Sequence, residues 1–211
     1  MIADILRTEW KLKAWLTLIL TLGVCVPYFG IQHLALFPPR ALAASALDNL
    51  IPFQPEWTLV YQSLYLFLPV LPFLARREGT LRRYAKGLLA LSGVCFAIFL
   101  LFPVAGPRPA HPSGNALYLL LVRYDAKTNS FPSLHAGLLA YALCFGWSLL
   151  KAEADSRFLK GIFFILMLPW GAAILYATVA TKQHYVIDLP VGVLLAWLAH
   201  RWAWKGKGRT T

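Results

Sequence analysis

Three short polar stretches hold the residues of this sequence that could do chemistry. They read "FPVAGPRP" around Arg108, "SFPSLHAG" around His135, and "TKQHYVIDLPVG" around His184 and Asp188. Each stretch borders a long apolar run, where an ionisable side chain is costly to bury and therefore marks a candidate functional site. Two imidazoles, a carboxylate and a guanidinium together could support acid–base, nucleophilic and anion-binding chemistry.

His184 and Asp188 are four residues apart, so on a helix they share a face. A carboxylate that accepts the N–H of one imidazole nitrogen fixes the tautomer and leaves the other nitrogen as a nucleophile or base. The alternative is a buried structural ion pair, which accounts less well for a carboxylate inside a membrane segment. The spacing therefore favours a catalytic pair.

Ser133 follows Phe131-Pro132 and precedes an apolar helix, which makes it a natural N-cap. The backbone of this first turn, at Ser133 and Leu134, then presents free N–H groups and the positive end of the helix dipole to an anion. His135 lies in the same turn and could protonate a leaving oxygen. The alternative is a structural histidine that is hydrogen-bonded to a neighbouring carbonyl.

Two cations could complete an anion site. Arg108 offers a planar fork for phosphate, and Lys182 lies two residues before His184. The alternatives are an interfacial anchor for Arg108 and a snorkelling side chain for Lys182. Phosphoryl transfer requires cations, amides, an in-line nucleophile and an acid. Two histidines and one aspartate make a poor hydrolytic metal site, so we expect no metal and no other cofactor.

The composition places these stretches in a membrane protein. The chain has 211 residues, of which 59% are hydrophobic and 14% charged, and its mean hydropathy is +0.60. Long stretches without Asp, Glu, Lys or Arg recur, and each can supply the roughly 20 apolar residues that cross a bilayer. We predict a single all-α membrane domain over residues 1–211, a bundle of six transmembrane helices with a proline-rich outer segment at about 34–55. The predicted spans are 14–32, 57–75, 86–104, 133–150, 161–179 and 184–203.

The distribution of basic residues predicts the orientation. About three quarters of the 20 Lys and Arg residues fall on the side that holds both termini, which the positive-inside rule assigns to the cytoplasm. The basic residues behind the net charge of +11 are then expected to contact anionic lipid headgroups and not nucleic acid. All three polar stretches fall at the opposite, extracytoplasmic interface.

The stretches "GPRP", "PSLH" and "HYVID" resemble the type 2 phosphatidic acid phosphatase superfamily of six-span membrane enzymes, over about residues 55–200. The resemblance implies that His184 is the nucleophile that forms a phosphohistidine and that Asp188 orients it. It further implies that His135 is the general acid, that Arg108 and the region of Ser133 hold the phosphate, and that no metal takes part.

The sequence departs from the superfamily pattern at three positions. Leu101 and Thr178 stand where a lysine and an arginine are expected, and Leu134 replaces the glycine of the PSGH element. Lys182 could replace one missing cation if the last helix begins at or after it. The forms "FPSLH" and "HYxxD" resemble the branch that includes inositol phosphorylceramide synthase, in which an alcohol resolves the phosphohistidine.

The predicted function is therefore that of a metal-independent lipid phosphatase or phosphotransferase of the cell membrane. Its substrate would be a phospholipid, a polyprenyl phosphate or a sphingolipid. The alternative from another class is a lipid-binding or transport protein that keeps the fold without turnover, which the missing cations favour. A proton channel is disfavoured, because four of the spans carry no ionisable residue near mid-depth.

Overall fold

Helices dominate the computed structural model, which describes residues 8–34, 36–109, 114–125, 128–152 and 156–205. The prediction of an all-α membrane bundle is confirmed. The helices are α1 (Trp10–Ile31), α2 (Ala46–Leu50), α3 (Thr58–Gln62), α4 (Leu64–Leu74), α5 (Glu78–Leu101), α6 (Ala116–Tyr124), α7 (Leu134–Ala152), α8 (Arg157–Gly161), α9 (Leu168–Ala180) and α10 (Asp188–Trp204). A 3₁₀ turn, Pro55–Trp57, precedes α3, and the π-helical segment Ile162–Met167 joins α8 to α9.

Five helical segments of the described chain are long and apolar enough to cross a membrane. They are Trp10–Ile31, Pro55–Leu74, Glu78–Leu101, Leu134–Ala152 and Arg157–Ala180, and they match the first five predicted spans. The sixth predicted span, 184–203, corresponds to α10, which has 17 residues and begins at Asp188. The protein is therefore a helical membrane protein whose last long helix starts later than predicted.

The helix α7 lies at the centre of the bundle and packs against α10, α5 and α4. Two glycines bring α7 and α10 close together at the end where the polar stretches lie. A Cβ atom on Gly192 of α10 would stand 2.2 Å from the backbone oxygen of Ser133, and one on Gly137 of α7 would stand 3.2 Å from the oxygen of Gly192. Small residues allow this close backbone approach, as is typical of helices packed in membranes.

The outer segment predicted at 34–55 contains no span-length helix among its described residues. It forms β1 (Arg40–Ala41), which pairs in parallel with β2 (Val104–Ala105), and the short helix α2. Ser45 and Asp48 close a reciprocal capping box at the start of α2. The backbone N–H of Gln54 donates to the oxygen of Ala180, at the end of α9. The segment is thus bound to the loop that carries Arg108 and to the end of α9 that leads into the His184 stretch.

Candidate active site

His184 lies in the turn between α9 and α10, so the prediction that His184 and Asp188 share a helix face is wrong. Lys182 adopts a left-handed backbone conformation with φ 54°, which separates the turn from α9. Pro190 explains the late start of α10. A proline is tolerated in the first turn of a helix, whereas in a helix starting at His184 it would remove an internal hydrogen bond.

The hydrogen bond made by His184 defines which of its ring nitrogens is free. Its Nδ1 lies 2.8 Å from the backbone oxygen of Ser130, and the Asp188 carboxylate is farther away, with Oδ2 at 3.6 Å. Because a carbonyl oxygen only accepts, Nδ1 carries the proton and donates it to Ser130. The lone pair then lies on Nε2. The expectation that Asp188 itself accepts this N–H is corrected, since the Ser130 carbonyl takes that position.

Asp188 is fully buried and organises the turn around His184. Its Oδ2 accepts hydrogen bonds from the Ser130 hydroxyl at 2.6 Å and from the Tyr185 backbone N–H at 2.8 Å. Its Oδ1 is buried without a hydrogen-bond partner among the described residues. Asp188 therefore fixes the position of Ser130, whose carbonyl binds His184, and its own carboxylate lies near the imidazole.

The N-terminus of α7 is capped by Ser133, whose hydroxyl accepts the backbone N–H of Ala136 at 3.2 Å. The Ser133 N–H donates to the backbone oxygen of Asp188 at 3.1 Å, which joins the α7 N-terminus to α10. The N–H groups of Leu134 and His135 lie in the first turn of α7, where no intrahelical acceptor reaches them, and they face outward for an anion. The Leu134 side chain itself is buried in the core.

His135 is held by two tyrosines that the sequence reasoning missed. Its ring stacks on that of Tyr61, with centroids 4.0 Å apart, and its Nδ1 lies 3.1 Å from the Tyr61 hydroxyl. Tyr65 contacts the same ring edge-on. If Tyr61 donates to Nδ1, the proton of neutral His135 is on Nε2, which is buried and has no partner among the described residues. The rings of His135 and His184 lie side by side, with centroids 6.1 Å apart.

Arg108 is anchored to the His184 turn and to Asp125. Its Nε donates to Gln183 Oε1 at 2.9 Å, its Nη1 donates to the backbone oxygen of Asp125, and its Nη2 lies 3.4 Å from Asp125 Oδ2. Burial raises the pKa of Asp125, and the Arg108 charge opposes that rise. Tyr28 donates a further hydrogen bond to Asp125 Oδ1 at 2.9 Å. No local motif links Asp125 to Arg108, so the sequence carries no signal for this contact.

Lys182 contacts the outer segment. Its ammonium donates to the backbone oxygens of Asp48 and Ile51, at 2.7 and 2.5 Å. Burial lowers the pKa of Lys182, and the charge of Asp48 opposes that change. The last helix does begin after Lys182, as a phosphate contact would require, and that role stays a prediction.

Asp48 stabilises the turn that contains His184. It accepts the backbone N–H of Val186 at 2.7 Å. The Ser-x-x-Asp capping pattern was the available signal for Asp48.

The positions that depart from the superfamily pattern lie in different surroundings. Leu101, at the end of α5, is 66% exposed. Thr178 is fully buried and bonds the oxygen of Leu175, and its own backbone oxygen accepts the N–H of His184 at 3.3 Å. The missing arginine would therefore have stood directly against the His184 turn, whereas the missing lysine would have stood at the surface. No group of three His, Cys, Asp or Glu residues among those described could hold a metal ion.

Fold and site together define a helical membrane protein with two histidines and an aspartate gathered at one end of the bundle. A family model described as the PAP2 superfamily matches residues 31–202. The chain therefore belongs to the PAP2 superfamily, and the resemblance drawn from "GPRP", "PSLH" and "HYVID" is confirmed. No curated protein matches the chain. Membership supports a phosphatase-type activity on lipid phosphates, and the inositol phosphorylceramide synthase-like branch stays a prediction.

Proposed function

We propose that the protein transfers the phosphoryl group of a membrane lipid through a phosphohistidine on His184, without a metal ion. The observation that carries this proposal is the hydrogen bond from His184 Nδ1 to the Ser130 carbonyl, because it leaves a nucleophilic lone pair on Nε2. The adjacent ring of His135, with its unpartnered Nε2, supplies the acid that the leaving group needs.

In the first step, the Nε2 lone pair of His184 forms a bond to phosphorus, and the bond from phosphorus to the alcohol oxygen breaks. His135 acts as the imidazolium, with a proton on each ring nitrogen, and gives its Nε2 proton to that oxygen. His135 is then neutral and keeps its Nδ1 proton toward the Tyr61 oxygen, and the products are a free alcohol and a phosphohistidine. The imidazole of His184 becomes cationic in this step. The carboxylate of Asp188, 3.6 Å from Nδ1, stabilises the new charge.

The phosphate oxygens are bound by groups on two elements. Arg108 offers its guanidinium from the loop after β2, and the N-terminus of α7 offers the N–H groups of Leu134 and His135 under the Ser133 cap. Lys182 would add a second cation by exchanging its carbonyl contacts for the phosphate. The fixed donors favour the charge that spreads over these oxygens in the transition state.

In the second step, an acceptor hydroxyl attacks the phosphorus. Its proton passes to the Nε2 of His135, and the bond from phosphorus to His184 breaks, which restores both histidines. With water as the acceptor the enzyme is a phosphatase, and with an alcohol it is a phosphotransferase. The substrate is a phospholipid, a polyprenyl phosphate or a sphingolipid, reached at the extracytoplasmic interface of the cell membrane while both termini face the cytoplasm.

A panel of lipid phosphates tests this proposal. The purified protein is incubated in detergent micelles with a metal chelator and assayed for free phosphate and, in parallel, for exchange onto added alcohols. We expect the wild type to turn over at least one lipid and His184→Ala to be inactive. His33→Ala is the control and should be as active as the wild type, because His33 lies after α1 and outside the site. Absence of both readouts with every lipid, at a protein concentration that would detect slow enzymes, contradicts the proposal.

The second candidate is a lipid-binding or transport protein without turnover. Leu101 and Thr178, in place of two expected cations, favour it. Lipid-phosphate binding that is unchanged in His184→Ala, together with no phosphate release from the wild type, supports this candidate over catalysis.

A further inference from the structure

A cavity of about 360 Å³ lies between α1, α3 and α6, beside His135. We name it the α6 cavity, and its lining includes Phe29, Leu59, Leu117, Leu120, Asp125 and His135. Its volume falls within the roughly 300–1,000 Å³ typical of small-molecule sites. The steps of the proposed function do not account for it, because Arg108, Ser133, Leu134 and Lys182 are not among its lining residues.

The lining of the α6 cavity does not suit a phosphate. None of its described residues is Lys or Arg, and its one carboxylate, Asp125, would repel an anion. The remaining side chains are mostly leucines and aromatic residues from three helices. An uncharged, apolar part of a ligand fits this lining, since burial of apolar surface provides the favourable free energy of binding.

His135 connects the α6 cavity to the reaction. It lines the cavity and stands beside His184, so it forms the boundary between the two. A general acid must lie within hydrogen-bond reach of the oxygen that leaves. The alcohol released from the phosphate therefore lies on the His135 side, where the α6 cavity offers room for its apolar part.

The α6 cavity is partly open on the side formed by α6. Leu117 and Leu120 line the cavity and are nonetheless 50% and 52% exposed. Leu119 and Tyr124 on the same helix are also exposed apolar residues. A short helix with apolar residues on several faces suits the membrane interface, from which a lipid chain can enter between α6 and α1 without crossing water.

We propose that the α6 cavity binds the apolar chain of the leaving alcohol and that Leu117 and Leu120 set the chain size that is accepted. This inference rests on the proposed function. Tryptophan at either position fills part of the cavity, whereas alanine enlarges it. One methylene in an apolar pocket changes discrimination by about tenfold or more, so side chains of this size alter the preference measurably.

The test compares phosphate release from short-chain and long-chain phosphatidates by wild type, Leu117→Trp, Leu120→Trp and Leu120→Ala. Leu119→Trp is the matched control, because Leu119 is an exposed leucine of the same helix that does not line the cavity. We expect each cavity tryptophan to lower the long-chain to short-chain ratio of kcat/KM by about tenfold. Leu120→Ala is expected to leave the ratio equal or raised, and the control to leave it unchanged.

Three results overturn the inference. One is a ratio that stays constant in both cavity tryptophan variants while the wild type is active, which leaves the proposed function intact. Another is an equal change in Leu119→Trp, which would assign the effect to the membrane surface. The third is a wild type that turns over no lipid phosphate, which removes the proposed function as well. Short-chain turnover by the variants reports that they are folded.

Discussion

Replacement of Asp188 by asparagine removes one negative charge from the site with little change in shape. Only Oδ2 of the carboxylate has hydrogen-bond partners among the described residues, the Ser130 hydroxyl and the Tyr185 N–H. The amide oxygen of asparagine can take that position, and its NH₂ group then occupies the place of the unpartnered Oδ1. We therefore expect Asp188→Asn to fold like the wild type.

The distance from Asp188 to His184 gives the size of the effect. A unit charge on the imidazole and one on Oδ2, 3.6 Å away, interact by about 4–5 kcal/mol at an effective dielectric constant near 20. The whole of that energy corresponds to about a 10³-fold change in rate. The tautomer of His184 is kept by the Ser130 carbonyl, so the loss stays below the ~10⁴-fold seen where the carboxylate also fixes the tautomer. We predict that kcat falls by about 10²- to 10³-fold.

The assay is kcat for phosphate release at saturating lipid, measured beside thermal unfolding followed by circular dichroism. Asp188→Ala is the comparison variant, because it also removes the acceptor for Ser130 and Tyr185 and should lower the unfolding temperature. Full activity in Asp188→Asn refutes the charge argument. A loss as complete as that of His184→Ala, with normal unfolding, refutes the claim that the Ser130 carbonyl holds the tautomer.

Three further substitutions test the surroundings of the two histidines. His135→Ala should slow turnover by about 10²- to 10⁴-fold for an alkyl phosphate and far less for a nitrophenyl ester, whose leaving group needs no proton. Tyr61→Phe removes the hydrogen bond between the Tyr61 hydroxyl and His135 Nδ1, which is worth about 1 kcal/mol. It should lower kcat about fivefold and shift the pH profile of kcat. Asp125→Asn keeps its backbone contact with Arg108 and removes the carboxylate charge that competes with the phosphate for the guanidinium, so KM should fall.

Each of these outcomes has a control or a contrary result. Equal losses for alkyl and nitrophenyl esters in His135→Ala contradict its role as general acid. Tyr65→Phe is the control for Tyr61→Phe, because Tyr65 makes only an edge contact with the His135 ring. A higher KM in Asp125→Asn would mean that the carboxylate is needed to place Arg108 for the phosphate.

The membrane fold could be predicted because its signal is local. Long apolar runs without charges indicate spans wherever they occur, and five span-length helices match them. The start of α10 was misplaced because the apolar run extends back past Pro190 to His184, while the backbone turn at Lys182 and the proline decide where the helix begins. A pattern of apolar residues does not report such a turn.

Only part of the candidate site could be predicted from the sequence. The directions of the predicted spans placed His135, His184 and Asp188 at the same membrane interface, so their proximity was indicated. The carbonyl that binds His184 belongs to Ser130, 54 residues earlier, and the tyrosine under His135 is 74 residues away from it. Contacts over such separations depend on helix packing, which no local spacing encodes.

The most direct test of the central claim is the position of phosphorus on the trapped enzyme. The protein is incubated with a ³²P-labelled lipid phosphate, quenched in alkali and digested, and the labelled peptide is analysed for the isomer of phosphohistidine. Because Nδ1 of His184 donates to Ser130, we predict an acid-labile label on His184 Nε2. The label should be absent in His184→Ala and should accumulate in variants whose second step is slow. A label on Nδ1 or on another residue, or turnover without any labelled protein, would contradict it.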